Sequence, residues 1–492
     1  MAQIKPALPS TGYEVVQRVL DDSQRGGGKT SEYGDPSLNG AEVAQRLNRF
    51  GKHWPDSNHN GKTELTFEFS TSMPAASDEN QEEMGEYKVE RIVPLTLGQK
   101  AFVGKVHQEY ADVANVTFTE KTAGASEGHL TYRGYSTGDQ VSEFAGFAHM
   151  PDPKDPAQGT VWMRHLDQTT KFGNWADDDK RQISEEKWRS TLIHEVGHGL
   201  GLGHPHAEGE EELEPYYYAE DTKNYTVMSY NVPLLSEAGE SVEPASLMLD
   251  DISAIQSIYG ANTATRAGDT TYGFNSNTER DQYSLKSAED KPLFAVWDGG
   301  GWDSLDFSEF SQNQTINLNA GSSSDVGGLI GNVSIAKGVT IEEAKGGKGE
   351  NTLIGNNAFN VLRGGPSNDI LFGGSGGAQM WGGKGANTFV FDTSSSGKAN
   401  WVMDFASGKD KLDFSGLRQQ LGPLNFVSTL PHDHSKAQDP LSPTFITRPG
   451  DVLVTYDAAF QRTHFRMDTT GNGKMDMHID VQGRVAREDI VV

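Results

Sequence analysis

Between residues 346 and 390 the sequence repeats every nine residues: GGKGENTLI, GNNAFNVLR, GGPSNDILF, GGSGGAQMW, GGKGANTFV. Gly opens all five units, and a large apolar residue holds the eighth place, as Leu353, Leu362, Leu371, Met380 and Phe389. A Gly-rich linker has no reason to keep a large apolar residue in strict register, so the units must stack and bury it. The same character reaches back to about Ala261. Helical periodicity vanishes there, and the short apolar runs 294–297, 305–307 and 316–318 alternate with Gly, Asn, Asp and Ser, an all-β pattern.

The front of the chain reads differently. Residues 11–25 have helical spacing, with Thr11 as cap and Gly26-Gly27-Gly28 as stop. Leu65–Phe69 alternates as a strand. Residues 99–112 are helical again, Val116–Phe118, Leu130–Tyr132 and Val161–Met163 are short strands, and a long helix is expected from Glu185 to Leu200. This mixture predicts an α+β domain over 11–260, N-terminal helix included, after a short extension at 1–10, followed by an all-β domain over 261–492. A total of 492 residues is too long for one core and suits two or more domains.

Composition removes several classes. The net charge of −27 argues against nucleic-acid partners and against stable association with anionic membranes. Zero Cys removes disulfides, thiolate metal sites and thiol catalysis. No apolar run is long enough to span a bilayer, and the start of the chain lacks the apolar core of a secretory signal. The acid excess has a bland reading, solubility, and a sharper one, bound cations.

Residues 194–204, HEVGHGLGLGH, carry the chemistry. His194 and His198 are one helical turn apart on one face, as two zinc ligands require. Gly201 can take a positive φ and turn the chain so that His204 returns as a third ligand. Three neutral imidazoles leave a position open for water, the arrangement of a catalytic site, and Glu195 lies within reach of that water. His206 reads as a solvent or supporting residue. Downstream, Thr226-Val-Met228-Ser-Tyr230 fits a methionine turn, with Met228 an apolar floor under the histidines and Tyr230 near the developing oxyanion.

With these motifs the chain resembles the serralysins, bacterial metzincin proteases with a Gly-rich calcium-binding β-roll of RTX repeats. The resemblance runs from Thr11 to the C-terminus and rests on TGYEVV (11–16), the histidine run, YAEDTKNYTVMSY (218–230), LDDISAIQSIYGAN (249–262), TYGFNSNTERD (271–281), SDVGGLIGNVSIAKGVTIE (324–342) and the repeats. It implies a metzincin catalytic domain of α+β class followed by an all-β parallel β-roll and β-sandwich. It implies a calcium-stabilised zinc endopeptidase acting on extracellular proteins, with Glu195 as general base and Tyr230 assisting. It implies secretion as a monomer through a type I apparatus, with Glu488–Val492 as export signal, and a short propeptide. His129, Leu130, Thr131 and Tyr132 are the candidate edge for an extended substrate, and the acidic, Tyr-rich stretch Glu208–Tyr218 is expected to form a loop near the cleft.

The resemblance also places calcium at the junction. One ion takes carbonyls of Arg266, Gly268, Thr270 and Gly300 with Asp298 and Asp303; a neighbour takes Gly301, Asp303, Thr340 and Glu342. In the family's repeat a sixth-place aspartate binds calcium, but here those places are Asn351, Asn360, Asp369, Ala378 and Asn387. Fewer charged ligands weaken calcium, so at most two repeat ions are expected, both using Asp369. Two other readings compete. One is a catalytically inert calcium-binding or adhesive protein on a protease scaffold. The other is a zinc hydrolase acting on esters or glycans.

Overall fold

Thr11 Oγ1 accepts the Glu14 N–H and Glu14 accepts the Thr11 N–H, each at 3.2 Å. This capping box starts helix α1 (Gly12–Asp22). The computed structural model describes residues 11–31, 34–72, 85–87, 89–121, 128–137, 145–165, 184–206, 218–233, 235–236, 239, 241–428 and 448–492. The extension 1–10 and residues 208–217 of the acidic stretch lie outside them. The chain divides into two compact units. The front unit holds Arg25–Thr265 and Leu293–Gly299; the other holds the described residues up to Gln24, Arg266–Pro292 and Gly300–Val492.

Helix α1 was expected with the front half, but it belongs to the C-terminal unit. Its apolar face decides this. Tyr13 and Val16 pack with Ile354, Phe372 and Val390 of the repeat region. The Tyr13 N–H, one of the unpaired donors of the first turn, donates to Asp413 Oδ2 at 3.0 Å. A β-carbon on Gly12 would stand 2.9 Å from methyls of Thr388 and Val390, so only Gly lets the helix sit this close.

Among the described residues the front unit's main sheet has six strands: β1 (Thr63–Phe69), β2 (Arg91–Val93), β3 (Val116–Glu120), β4 (Gly128–Ser136), β5 (Gly146–Ala148) and β6 (Thr160–Arg164). Their order is β3-β1-β4-β6-β5, with β2 also pairing β4. The path is parallel except for β5, which runs antiparallel to β6. Helices α2 (Gly40–Leu47), α3 (Leu97–Val113), α4 (Glu185–Gly199) and α5 (Leu249–Tyr259) complete the unit. Ser184 caps α4 by accepting the Lys187 N–H, and Glu185 and Glu186 oppose the dipole of its first turn. Trp188, Leu192, Ile193 and Val196 of α4 are fully buried, so this is a core helix and its ligands ride on a rigid element.

In the C-terminal unit the nine-residue period becomes geometry. Leu353 pairs with Leu371 and Leu371 with Phe389 in one parallel sheet; Leu362 pairs with Met380 in the other. Partners are eighteen residues apart because two repeats make one coil, one strand in each sheet. All five eighth-place side chains are fully buried. The coils stack backbone on backbone: a β-carbon on Gly385 would stand 1.6 Å from the Ser367 carbonyl oxygen. The tail closes the first sheet, where Ile490 and Val491 pair parallel with Leu412 and Asp413.

Val16→Ala should cost about 2 kcal/mol of stability in the C-terminal unit, as a fully buried methyl pair is lost. Hydrogen exchange should quicken at Ile354, Phe372 and Val390 while α4 stays protected. Faster exchange in α4 instead would return α1 to the front unit.

Candidate metal centre

Helix α4 delivers His194 and His198 on one face, and Gly201, at φ +105°, turns the chain back. A β-carbon there would stand 1.8 Å from the Lys52 carbonyl oxygen, so both the dihedral and the space demand Gly. His204 then closes the set. The three Nε2 atoms stand 3.1 Å (194 to 198), 3.1 Å (194 to 204) and 3.0 Å (198 to 204) apart. Among the described residues these three are the grouped side chains able to hold a metal ion.

The tautomers follow from the partners. His194 Nδ1 lies 2.8 Å from the Val227 carbonyl and His198 Nδ1 lies 2.7 Å from the Leu202 carbonyl. A carbonyl can only accept, so both rings carry their proton on Nδ1 and turn a bare lone pair at Nε2 toward the shared point. Burial and the neighbouring imidazoles push His194 well below the usual histidine range and His204 down to about 2. Neutral nitrogen donors converging on one point fit a zinc ion.

Glu195 is buried, and burial pushes its carboxyl up to about 8. A β-carbon on Gly146 of β5 would stand 2.9 Å from Glu195 Cγ, which places the edge strand against it. The hydroxyl of Tyr230, a residue more than half exposed, lies 2.8 Å from His204 Nε2. Met228 is fully buried, its sulfur 2.8 Å from where a β-carbon on Gly197 would lie. The His206 ring stacks on His204, centroids 4.9 Å apart, as expected of a supporting residue.

The expected substrate edge is displaced. His129–Tyr132 lies in β4, which has β1 on one side and β6 on the other, so its main chain is already paired. Thr66 reaches His129 Nδ1 at 2.8 Å, and Tyr132 is buried with its hydroxyl 2.6 Å from His107 Nε2. The edge beside the histidines is β5, Gly146–Ala148. Three residues are too few for alternation to show, which is why the sequence did not reveal it.

Asp251 was also missed. It is fully buried, and Oδ1 accepts from Thr226 Oγ1 at 2.6 Å while Oδ2 accepts the N–H groups of Val227 and Met248 at 2.8 and 2.9 Å. It therefore ties the methionine turn to the start of α5, and Val227 in turn orients His194. Burial pushes the carboxyl up to about 7.

The junction residues assemble in part. Asp303 is fully buried; its Oδ1 accepts the Thr270 N–H and its N–H donates to Glu342 Oε2, each at 2.8 Å. A β-carbon on Gly301 would stand 2.6 Å from the Gly268 carbonyl carbon. Arg266 and Gly300 take positive φ, +47° and +121°. Thr340 is exposed, and Asp298 belongs to the front unit. In the roll, Asp369 Oδ1 accepts the N–H and the side-chain amide of Asn351 at 2.7 and 2.8 Å. Asp369 Oδ2 is buried without a hydrogen-bond partner, and burial pushes this carboxyl up to about 7.

The comparisons agree across the chain. The family model described as Matrixin matches residues 62–237, and that described as Peptidase M10 serralysin C terminal matches 261–492. The chain is 43% identical to Metallopeptidase AprA of Pseudomonas marginalis, covering 100% of this chain and 98% of the relative. It is 42% identical to Metalloprotease AprA of Pseudomonas entomophila over 99% and 97%, and 38% identical to Serralysin C of Dickeya chrysanthemi over 99% and 97%.

Asp251→Ala should leave the Val227 and Met248 N–H groups buried and unpaired, at about 1–3 kcal/mol each. Stability should fall, and metal affinity with it, because Val227 no longer fixes His194. A variant that loses stability but keeps full zinc affinity would refute the link to the histidine.

Proposed function

Because the chain belongs to the serralysin family of metallopeptidases, and is a metalloendopeptidase, we propose that it cuts peptide bonds of extracellular proteins with zinc held by His194, His198 and His204. The observation that carries this is the convergence of three neutral Nε2 atoms beside a buried carboxyl. Bound zinc supplies Lewis acidity, polarising the scissile carbonyl and activating water. The chain's own residues do the rest. The substrate adds to β5 by main-chain hydrogen bonds, which brings its carbonyl beside Glu195. Glu195 takes the proton of the attacking water and passes it to the leaving nitrogen. Its raised pKa fits this, since a base that must also serve as acid works best near neutrality. The Tyr230 hydroxyl, exposed and able to leave His204, donates to the developing oxyanion. Intact ligands and base disfavour the inert adhesive reading.

Calcium is the second part of the proposal. Asp303 and Glu342, with carbonyls of Gly268, Thr270 and Gly301, come from three neighbouring segments and would offer a hard cation oxygen donors. In the repeats, Asp369 Oδ2 is the buried oxygen still lacking a partner. Asn351 argues against an ion on its side of Asp369: its amide nitrogen lies 2.8 Å from the Gly349 carbonyl, 3.2 Å from that of Gly347, 3.4 Å from that of Gly364 and 2.8 Å from Asp369 Oδ1. The amide donates to the oxygens a cation would take. We therefore place the repeat calcium between Asp369 and the Asn387 turn. Export through a type I apparatus, with the acidic-apolar tail Glu488–Val492 as signal, completes the reading; calcium outside the cell would then fold the roll.

Glu195→Ala should keep fold and zinc yet lose at least 10²-fold in turnover on casein, and Tyr230→Phe on the order of 10²-fold in kcat with little change in KM. A Glu195→Ala enzyme keeping more than about a hundredth of wild-type turnover would sink the assignment.

The pH dependence has a definite sign. In the calcium-free roll the folded pKa of Asp369, about 7, exceeds the unfolded value of about 3.9. Its contribution is complete below pH 4 and is lost as pH rises through 7. Calcium needs the carboxylate, so the calcium-induced rise in Tm should be larger at pH 8 than at pH 5. Asp369→Ala should remove that difference. A calcium response equal at both pH values, or unchanged in Asp369→Ala, would contradict the site.

A further inference from the structure

A cavity of about 290 Å3 opens beside the histidines, lined by Glu195 and Tyr230 on the side of the chemistry. Its remaining wall is mixed, with apolar surface from Ala145, Gly146 and Val227 and a polar, cationic stretch. Lys187 and Lys223 line it, with Ser190, Thr191 and Ser229 between them. The two lysines come from different elements, α4 and the segment before the methionine turn, and both reach one carboxylate. Lys187 Nζ lies 3.1 Å from Glu243 Oε1, and Lys223 Nζ lies 2.8 Å from Glu243 Oε2. Glu243 is not among the lining residues. Two ammonium groups share the one Glu243 carboxylate at this end of the cavity, while the other carboxyl of the lining, Glu195, stands on the side of the chemistry. Each ammonium has three N–H donors, more than Glu243 can absorb.

Exposure says which lysine meets a ligand. The Lys223 side chain is 8% exposed and that of Lys187 is 29%. Lys223 is anchored, and Lys187 keeps reach into the cavity. The charge is also against the trend of the molecule, since the chain as a whole carries −27. The lysine and hydroxyl stretch of this recess disfavours a basic side chain, which would add like charge, and gains less from an apolar one, which leaves ammonium donors unused. It suits a carboxylate, which completes the donors.

We propose that this recess receives an acidic side chain, Asp or Glu, of the substrate residue next to the scissile bond, and that Lys187 and Lys223 set that preference. The inference rests on the peptidase reading above and deepens it. Lys187 and Lys223 are specificity residues here: they leave the proton transfers to Glu195 and act on which peptide dwells beside it.

The test uses the full chain loaded with zinc and calcium. A peptide library randomised around a fixed frame is digested and read by mass spectrometry. At one position flanking the cut, Asp and Glu should be enriched about fivefold over Leu and about tenfold over Lys, gaps of the size a single charge contact gives. Lys187→Glu should reverse the order, and the milder Lys187→Gln should flatten it, in both cases through KM more than kcat. Glu243→Gln, which frees the lysines, should sharpen the acid preference. A wild-type profile without acid enrichment, or acid preference surviving in Lys187→Glu, overturns the inference while leaving the peptidase reading intact. If the wild type cuts no peptide in the library, both fall together.

Discussion

Three imidazole lone pairs facing one point at 3.0–3.1 Å repel one another unless a cation lies between them, and the front unit is organised to hold them there. The His194 and His198 rings are each fixed from behind by a backbone carbonyl, and each carbonyl is fixed by something further away. Leu202 offers its carbonyl to His198 because Gly201 turns the chain at φ +105°. Val227 offers its carbonyl to His194 because Asp251 holds the methionine turn by two N–H groups. Metal affinity is thus distributed. The placing of the two rings depends on a glycine dihedral and a buried aspartate, neither of which touches the metal point.

Close approach is the second constraint, and it explains the glycines that cost α4 helix propensity. A β-carbon on Gly197 would meet Met228 sulfur at 2.8 Å and the Tyr110 hydroxyl at 3.0 Å; one on Gly199 would meet Leu130 Cδ2 at 3.3 Å. The Tyr110 hydroxyl donates to the Ile193 carbonyl at 2.7 Å, pinning α4 one residue before its first ligand. These glycines therefore exchange local helix stability for packing beneath the ligands.

What was legible in the sequence was what repeats or what sits close in the chain. The eighth-place ladder, the two-histidine helix face, the Gly201 turn and the Thr11 cap all lie within windows where spacing alone carries information. What was not legible needed contacts over long separations. Helix α1 reads as amphipathic, but nothing in it says that its partners are Ile354, Phe372 and Val390. Leu130–Tyr132 reads correctly as a strand, but strand order decides edge from interior, and order is a property of the whole sheet. Asp251 and Glu243 look like ordinary acids until the methionine turn and α4 are folded against them.

The acid excess resolves along the same line. Asp489 and Asp369 are equally buried, at 0% and 1% exposure, yet their carboxyls move in opposite directions. Burial raises both, but Asp489 spreads its donors over both oxygens: the Ala486 N–H at 2.9 Å and Ser407 hydroxyl at 2.6 Å on Oδ2, and the Gly408 N–H at 2.9 Å on Oδ1. That outweighs desolvation and holds it below the ordinary carboxylate range. Asp369 has both its donors, from Asn351, on Oδ1. Net charge cannot separate such residues, since both count as −1. The distribution of N–H donors can. An aspartate supplied by the backbone on both oxygens organises a turn and needs nothing more; one supplied on a single oxygen, at the same depth, is where a cation gains most. By that criterion Asp489 is a structural acid, and Asp369 is the repeat acid at which the proposed calcium would gain most.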